Sequence, residues 1–204
     1  TGTVTKRLAA VGVDSTETSR RDYRELLFQT ENLSQNISGT ILYDETIRQN
    51  CADGTPFPKL LLDKGIYPGI KVDTGAKDLA LCAGEKVTEG LAGLRERLAE
   101  YREFGAKFAK WRAVITIGDG IPSQTCIQAN AHALGRYAAL CQEAGIVPIV
   151  EPETLMDGDH TLERCEEVTS QALQALFREL KLQNVALEGI VLKPNMVISG
   201  KGCA

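Results

Sequence analysis

Histidine is scarce in this chain of 204 residues, which carries only His132 and His160. Two histidines are too few for the His-rich sites of metal-dependent enzymes, so we expect no metal. The six cysteines lie far apart and form no C-x-x-C pair, and three of them (Cys126, Cys141 and Cys165) fall in helix-like patterns. This spacing is typical of buried thiols in a reducing cytosol rather than of a disulfide framework.

The chain also lacks long apolar runs and an excess of positive charge. No apolar run approaches the ~20 residues that a membrane span requires, and a net charge of −4 gives no electrostatic footprint for nucleic acid. A G-x-G-x-x-G turn after the first predicted strand is absent, which argues against a dinucleotide-binding doubly wound sheet. What is present is the composition of a globular domain, with 43% hydrophobic and 25% charged residues.

Strand-like and helix-like segments alternate along the chain. We predict strands at 37–43, 67–73, 108–115, 145–153 and 187–195, helices at 88–101, 123–143 and 162–180, and a glycine-rich loop from the second strand to Gly84. This alternation implies parallel strands with right-handed crossovers, so we predict an α/β fold, most of a barrel, in a single domain over residues 1–204. A closed barrel typically needs ~250 residues, and no helix follows the last strand. We therefore expect the chain to be a segment of a longer protein, and to be aggregation-prone and inactive if expressed alone.

Polar residues stand at the C-terminal ends of the predicted strands, which share one rim in parallel α/β folds. These rim residues are Asp44 and Glu45, Lys71 and Asp73, Lys110 and Arg112, Glu151 and Glu153, and Lys193 and Asn195. The last four are i,i+2 pairs, so both members of a pair should point to the same side of their strand. A structural salt-bridge network could explain one such pair. Four neighbouring pairs favour a functional site, because buried charge is costly unless it is paired or used.

Lys193 is the candidate nucleophile on this rim. A lysine at the tip of a buried strand is desolvated, and desolvation favours the neutral amine that attacks carbonyls, whereas the simpler interpretation is a lysine that snorkels to solvent. Glu151 is placed to move protons during carbinolamine dehydration. The remaining cations exceed the local carboxylates and suit a phosphorylated substrate; they are Lys71, Arg112, Arg7 and Arg20. The residues alone thus predict Schiff-base chemistry on a phosphorylated carbonyl compound.

Six motifs along the whole chain together resemble class I fructose-bisphosphate aldolases. They are Thr1-Gly2-Thr3 followed by Lys6-Arg7, Gly69-Ile70-Lys71-Val72-Asp73, Phe108-Ala109-Lys110-Trp111-Arg112, Val147-Pro148-Ile149-Val150-Glu151-Pro152-Glu153, Asp157-Gly158-Asp159-His160 and Leu192-Lys193-Pro194-Asn195-Met196-Val197. The resemblance implies a TIM (β/α)8 barrel, of which this chain supplies the second to sixth strands. It also implies a cytoplasmic homotetramer without metal or cofactor, with no nucleic-acid or membrane partner. The implied reaction is the reversible cleavage of fructose 1,6-bisphosphate to glyceraldehyde 3-phosphate and dihydroxyacetone phosphate.

The same resemblance implies a role for each matched residue. Lys193 corresponds to the Schiff-base lysine, Glu151 to the proton shuttle, and Lys110 to the lysine that assists at the substrate C4 hydroxyl. Glu153 is similar to the neighbouring acidic residue of that network. Phosphate and other substrate contacts are implied for Lys71, Arg112, Arg7, Arg20 and Thr3.

Some family features are missing from this sequence. The family's first strand and its aspartate would precede Thr1, the seventh and eighth strands would follow Ala204, and Thr74 stands where members commonly carry lysine. Two alternatives stay open. One is a Schiff-base aldolase for a different sugar phosphate, and the other is a non-catalytic binding or scaffold role.

Overall fold

The computed structural model of the chain describes residues 2–203; Thr1, which opens the Thr-Gly-Thr motif, and Ala204 lie outside the described residues. The helices are α1 (Gly2–Ala10), α2 (Glu17–Gln29), α3 (Asp44–Ile47), α4 (Phe57–Asp63), α5 (Leu94–Glu103), α6 (Gln124–Glu143) and α7 (Leu162–Leu182). The strands are β1 (Gly39–Leu42), β2 (Tyr67–Lys71), β3 (Gly75–Asp78), β4 (Lys86–Glu89), β5 (Phe108–Ile115), β6 (Val147–Thr154) and β7 (Val191–Leu192). Short 3-10 helices cover Leu33–Gln35 and Leu187–Gly189.

A parallel sheet of five strands, with helices between successive strands, confirms the predicted fold class. Its order is β1-β2-β5-β6-β7, and β3 pairs with β4 in an antiparallel hairpin.

The chain divides into two compact units. The first runs up to Lys71 and includes Glu100–Phe108, and the second holds Val72–Ala99 and the residues from Ala109 onward. That residues 1–204 belong to one barrel domain stays a prediction.

In the first unit, α4 packs against β2 of the parallel pair β1 and β2, and α2 packs against α4. Helix α2 begins with a capping box, in which the Thr16 hydroxyl accepts from the Ser19 N–H at 3.0 Å and so satisfies an otherwise unpaired donor. In the core of the first unit, the rings of Phe28 and Phe57 meet edge to face with their centroids 5.2 Å apart. Tyr101 is buried, and its hydroxyl donates to Asp44 Oδ1 at 2.9 Å.

The second unit is built on β5, β6 and the two long helices α6 and α7. Strand β5 alternates, so Trp111 is fully buried while Lys110 and Arg112 lie on the opposite face, as the period of two requires. Trp111 packs on Tyr137 of α6 with ring centroids 5.5 Å apart. Side chains of β5, the segment after it and α7 form a second buried cluster made of Ile115, Ile117, Cys165, Val168 and Ala172. The thiols of Cys126, Cys141 and Cys165 are buried in α6 and α7, as predicted.

Two predicted elements of the second unit are wrong. The stretch predicted as glycine-rich loop contains β3, and the helix predicted to begin at Thr88 begins at Leu94 instead. The β-branched residues Val87 and Thr88 favour a strand. The positive φ angles of Gly90 (134°) and Gly93 (63°) then interrupt the backbone before a helix can form. Within residues 2–203, no helix combines the length and apolar character needed to cross a membrane.

Candidate active site

Strands β5, β6 and β7 of the second unit carry five of the predicted site residues. Lys110 and Arg112 lie on one face of β5, and Glu151 and Glu153 are two residues apart on β6. Lys193 follows β7 directly, and its backbone N–H donates to the Val150 carbonyl at 2.9 Å. The predicted alternation therefore places these charged side chains close enough to pair.

Glu151 is the centre of the cluster, because each of its two oxygens contacts a different lysine. Lys110 Nζ lies 2.6 Å from Oε2, and Lys193 Nζ donates a hydrogen bond to Oε1. The Glu151 side chain is only 4% exposed, and that of Lys110 is 15% exposed. The result is a buried carboxylate held between two ammonium groups.

The charge state of Glu151 follows from two opposing effects. Burial is the largest single effect and opposes ionisation, whereas the hydrogen bonds and charges of Lys110 and Lys193 favour it and together prevail. The pKa of Glu151 is therefore lowered from its ordinary value. Glu151 is therefore ionised, which is the form of a carboxyl group that can accept a proton.

We expect from the sequence that the Lys193 side chain is desolvated. Within the described residues 2–203 this prediction is wrong, because the side chain is 57% exposed. Strand β7 has only two residues, and its Val191 is 47% exposed. The residues 187–189, which are predicted as part of the strand, form a 3-10 helix. The strand pairs with β6 through Ile149–Val191 and Val150–Leu192. Pro194 has no N–H to continue this ladder, which accounts for the end of the strand on its C-terminal side.

Arg112 and Glu153 form a second ion pair beside the Glu151 cluster. The guanidinium Nε of Arg112 donates to Glu153 Oε2, and the two side chains are 41% and 26% exposed. Arg112 is thus partly accessible and partly neutralised. Its backbone is also fixed, because the Thr88 hydroxyl of β4 donates to the Arg112 carbonyl at 2.8 Å.

Three further predicted residues, Thr3, Arg7 and Lys71, line one cavity of the first unit. Its volume is about 410 Å³, and its walls come from α1, α2, β1 and the end of β2. Arg20 is not among the lining residues, because its guanidinium is bonded to Glu45 through Nε at 3.0 Å and Nη2 at 2.6 Å. The predicted surplus of cations is therefore smaller than expected, since Arg20 has a carboxylate partner.

Sequence reasoning overlooked Arg24 and gave Asn195 no role. Arg24 lines the same cavity, is 8% exposed, and donates to Glu45 Oε1 at 2.7 Å. The four-residue spacing of Arg20 and Arg24 on α2 was the available signal, because it puts both on one helix face. That Asn195 shares a side with Lys193 stays a prediction; its carboxamide contacts Thr154 and Thr169.

The parallel strands and the helices between them define an α/β protein that carries a lysine–glutamate–lysine cluster. Comparison with known proteins makes this specific, because the family model "Fructose-bisphosphate aldolase class-I" matches residues 1–204. The chain belongs to the class I fructose-bisphosphate aldolase family.

Its relatives carry consistent names. The chain is 64% identical over 203 residues to a probable fructose-bisphosphate aldolase class 1 of Xanthomonas campestris, in an alignment that covers 100% of this chain and 61% of the relative. It is 52% identical to fructose-bisphosphate aldolase C of Carassius auratus and 51% identical to the cytosolic fructose-bisphosphate aldolase 6 of Arabidopsis thaliana. Both alignments cover 100% of this chain, with 56% and 57% of those relatives. The chain thus spans about three fifths of the length of the curated relatives it matches.

A solved structure shares the fold. Fructose-bisphosphate aldolase from Plasmodium falciparum, crystallised with TRAP and a small-molecule inhibitor, superposes with a TM-score of 0.96 at 45% identity. The match covers 100% of this chain and 59% of the solved one. The five parallel strands accordingly correspond to part of an aldolase TIM barrel.

Proposed function

We propose that the protein carrying this chain cleaves fructose 1,6-bisphosphate reversibly to dihydroxyacetone phosphate and glyceraldehyde 3-phosphate through an imine on Lys193. The observation that carries the proposal is the buried Glu151 carboxylate shared by Lys110 and Lys193 in a chain of the class I aldolase family. A scaffold role alone would not call for a buried carboxylate between two lysines, since buried ion pairs contribute little net stability.

The proposed reaction begins when Glu151 accepts a proton from the Lys193 ammonium, and the neutral amine then adds to the C2 carbonyl of the open-chain substrate. A proton moves from the nitrogen of the adduct to its alkoxide oxygen to give the carbinolamine. Glu151 then returns its proton to the carbinolamine hydroxyl, which leaves as water and gives the iminium. The contact between Glu151 Oε1 and Lys193 Nζ supports this shuttle. Lys110, which holds the other oxygen at 2.6 Å, favours the carboxylate form that must accept the first proton.

Carbon–carbon cleavage follows from the iminium. The C4 hydroxyl loses its proton to the Glu151 carboxylate, the C3–C4 bond breaks, and the electron pair of that bond moves into the iminium to form an enamine while glyceraldehyde 3-phosphate leaves. Protonation of the enamine at C3 and hydrolysis of the resulting iminium release dihydroxyacetone phosphate and restore Lys193. Lys110 assists at the C4 hydroxyl in this scheme, and Glu153 tunes the network through its pair with Arg112.

Phosphate recognition is assigned to the remaining cations. Arg112 offers a planar fork for bidentate contacts and Lys71 a point charge. Thr3, Arg7 and Lys71 share the cavity of the first unit, which supports a common role in substrate contact. Arg20 could contribute only by exchanging its Glu45 contact for substrate, so we assign it the weakest role.

We further propose a metal-free and cofactor-free cytoplasmic homotetramer in which residues 1–204 belong to a single barrel domain. The cytosolic relative from Arabidopsis thaliana supports the location. Family membership supports the assembly and the absence of a metal requirement.

The direct test is borohydride reduction of the full-length natural protein during turnover of fructose 1,6-bisphosphate. The peptide containing Lys193 should gain the mass of the reduced substrate fragment. Lys193→Arg keeps the positive charge but cannot form the imine, so it should remain unlabelled and inactive. Labelling confined to Lys110 or Lys71 would overturn the assignment.

A further inference from the structure

Within residues 2–203, few backbone hydrogen bonds hold the chain around Lys193. Strand β7 ends at Leu192, the Lys193 N–H donates to Val150 at 2.9 Å, and Pro194 supplies no further donor. The Lys193 side chain is 57% exposed, so packing among the described residues does not fix its rotamer. Its contact with Glu151 nevertheless requires a defined backbone position relative to β6.

The carboxamide of Asn195 supplies a restraint two residues after Lys193. Its Oδ1 accepts from the backbone N–H of Thr154, the last residue of β6, at 3.2 Å. Its Nδ2 donates to the Thr169 hydroxyl of α7 at 3.1 Å and to the Met196 carbonyl at 3.0 Å. One acceptor and two donors are used, so the carboxamide has one defined orientation.

These contacts lie on β6, which carries Glu151, and on α7, which packs against it. Thr154 is three residues after Glu151 on β6, and Thr169 is 6% exposed on α7, where Cys165 Sγ lies 4.0 Å from its hydroxyl. Lys193 is therefore attached to β6 on both sides, through its own N–H at Val150 and through Asn195 at Thr154. A rotation of the chain that moved the Lys193 amine away from Glu151 would strain or break one of these attachments.

We propose that Asn195 is a positioning residue for imine formation: its carboxamide ties the chain after Lys193 to Thr154 of β6 and Thr169 of α7, and so holds the amine at Glu151. The inference rests on the proposed function, since it takes Lys193 as the nucleophile. A displacement of about 1 Å at a reacting group can lower a rate on the order of 10²-fold. Asn195 acts through Lys193 and touches no substrate in this scheme.

Four variants of the full-length protein test the inference. Asn195→Ala removes the carboxamide, and Thr169→Val removes only the hydroxyl while keeping the side-chain shape. Thr169→Ser keeps the hydroxyl and is the conservative rescue. Val168→Ala is the matched stability control, because Val168 is 0% exposed on the same helix and its truncation leaves a cavity without removing a polar contact to Asn195.

The measurements are the single-turnover rate of imine formation, trapped with borohydride and located by mass spectrometry, together with KM and the melting temperature. We expect Asn195→Ala to slow imine formation by roughly 10- to 100-fold and Thr169→Val by a smaller factor, with KM nearly unchanged. Thr169→Ser should restore the rate. Val168→Ala should lower the melting temperature and leave the rate of imine formation close to that of the unmodified protein.

Failure of this inference and failure of the proposed function give different results. Suppose that borohydride traps the substrate at Lys193 in the unmodified protein, and that Asn195→Ala and Val168→Ala show the same loss of melting temperature. If Asn195→Ala then forms the imine no more slowly than Val168→Ala, Asn195 is only structural. In that case the inference fails and the proposed function stands. If the unmodified protein is trapped at another lysine, the proposed function is wrong, and the role of Asn195 is overturned with it.

Discussion

Glu151 is a buried side chain whose negative charge is balanced by two lysines from different strands. Glu151→Gln keeps the size and hydrogen-bonding reach of the side chain but cannot carry a proton between amine and hydroxyl. We expect imine formation to slow by roughly 10²- to 10⁴-fold, with a much smaller change in KM. Single-turnover trapping measures the first quantity and steady-state kinetics the second. Glu166→Gln, which removes the charge of an exposed glutamate on α7, is the matched control. Unchanged turnover with a raised KM in Glu151→Gln would make Glu151 a binding residue.

The convergence of Lys110, Glu151 and Lys193 could be predicted from sequence because strand alternation is local. Residues two apart on a strand share a face, and neighbouring parallel strands bring their C-terminal ends to one edge. The pairing of Arg20 with Glu45 could not be predicted in this way, since it joins a helix to a rim residue 25 positions away. The exposure of Lys193 depends on how much of β7 forms, and that is decided by tertiary pairing rather than by the apolar run Ile190–Leu192.

Helices α2 and α3 of the first unit are joined by Arg20, Arg24 and Glu45. Hydrogen bonds from Arg20 are the largest effect on the carboxyl, burial opposes them, and Arg24 adds to them, so the pKa of Glu45 is lowered from 4.5 to about 2. Because the folded pKa lies below the unfolded one, ionised Glu45 stabilises the fold above the unfolded pKa, and this contribution is lost as pH falls through the folded pKa. We expect the difference in unfolding free energy between the natural protein and Glu45→Gln to shrink from about pH 5 to pH 2. Chemical denaturation across that range measures it, with exposed Glu31→Gln as the control; a difference that did not change with pH would mean that the pair contributes no ionic stabilisation.

Strands β1 and β2 each carry a glycine against the ring of Phe108, also in the first unit. A Cβ on Gly39 would lie 2.9 Å from that ring, and a Cβ on Gly69 would overlap it. Gly69→Ala should therefore destabilise the protein by about 1–3 kcal/mol through overpacking, measured by denaturation. In the double variant, Phe108→Leu should reduce the destabilisation caused by Gly69→Ala. Gly65→Ala is a control for backbone strain alone, because Gly65 has φ +77° but no atom within 4 Å of an added Cβ. If Gly69→Ala cost as much in the Phe108→Leu background as in the natural protein, the ring would not be the cause.

The strand–helix alternation was sufficient to predict the fold at the scale of the whole molecule, because each convincing helix is long and periodic. The hairpin of β3 and β4 was not predictable, since its strands have four residues each and one of them is exposed along most of its length. Contacts distant in sequence fix it instead. The Asn130 carboxamide of α6 accepts from the Thr88 N–H at 3.1 Å and donates to the Lys86 carbonyl at 2.9 Å.

The chain of 204 residues has a net charge of −4, yet its candidate site is organised by lysines and an arginine. In the proposed reaction the iminium on Lys193 accepts the electron pair of the breaking bond, so no Lewis acid is needed for that step. We therefore expect cleavage of fructose 1,6-bisphosphate by the full-length protein to survive exhaustive chelation, measured as the initial rate before and after treatment with EDTA. Borohydride added with substrate to the same chelated sample should abolish the activity, which shows that the surviving rate passes through the imine. Loss of activity on chelation, with recovery on addition of zinc, would contradict the imine mechanism.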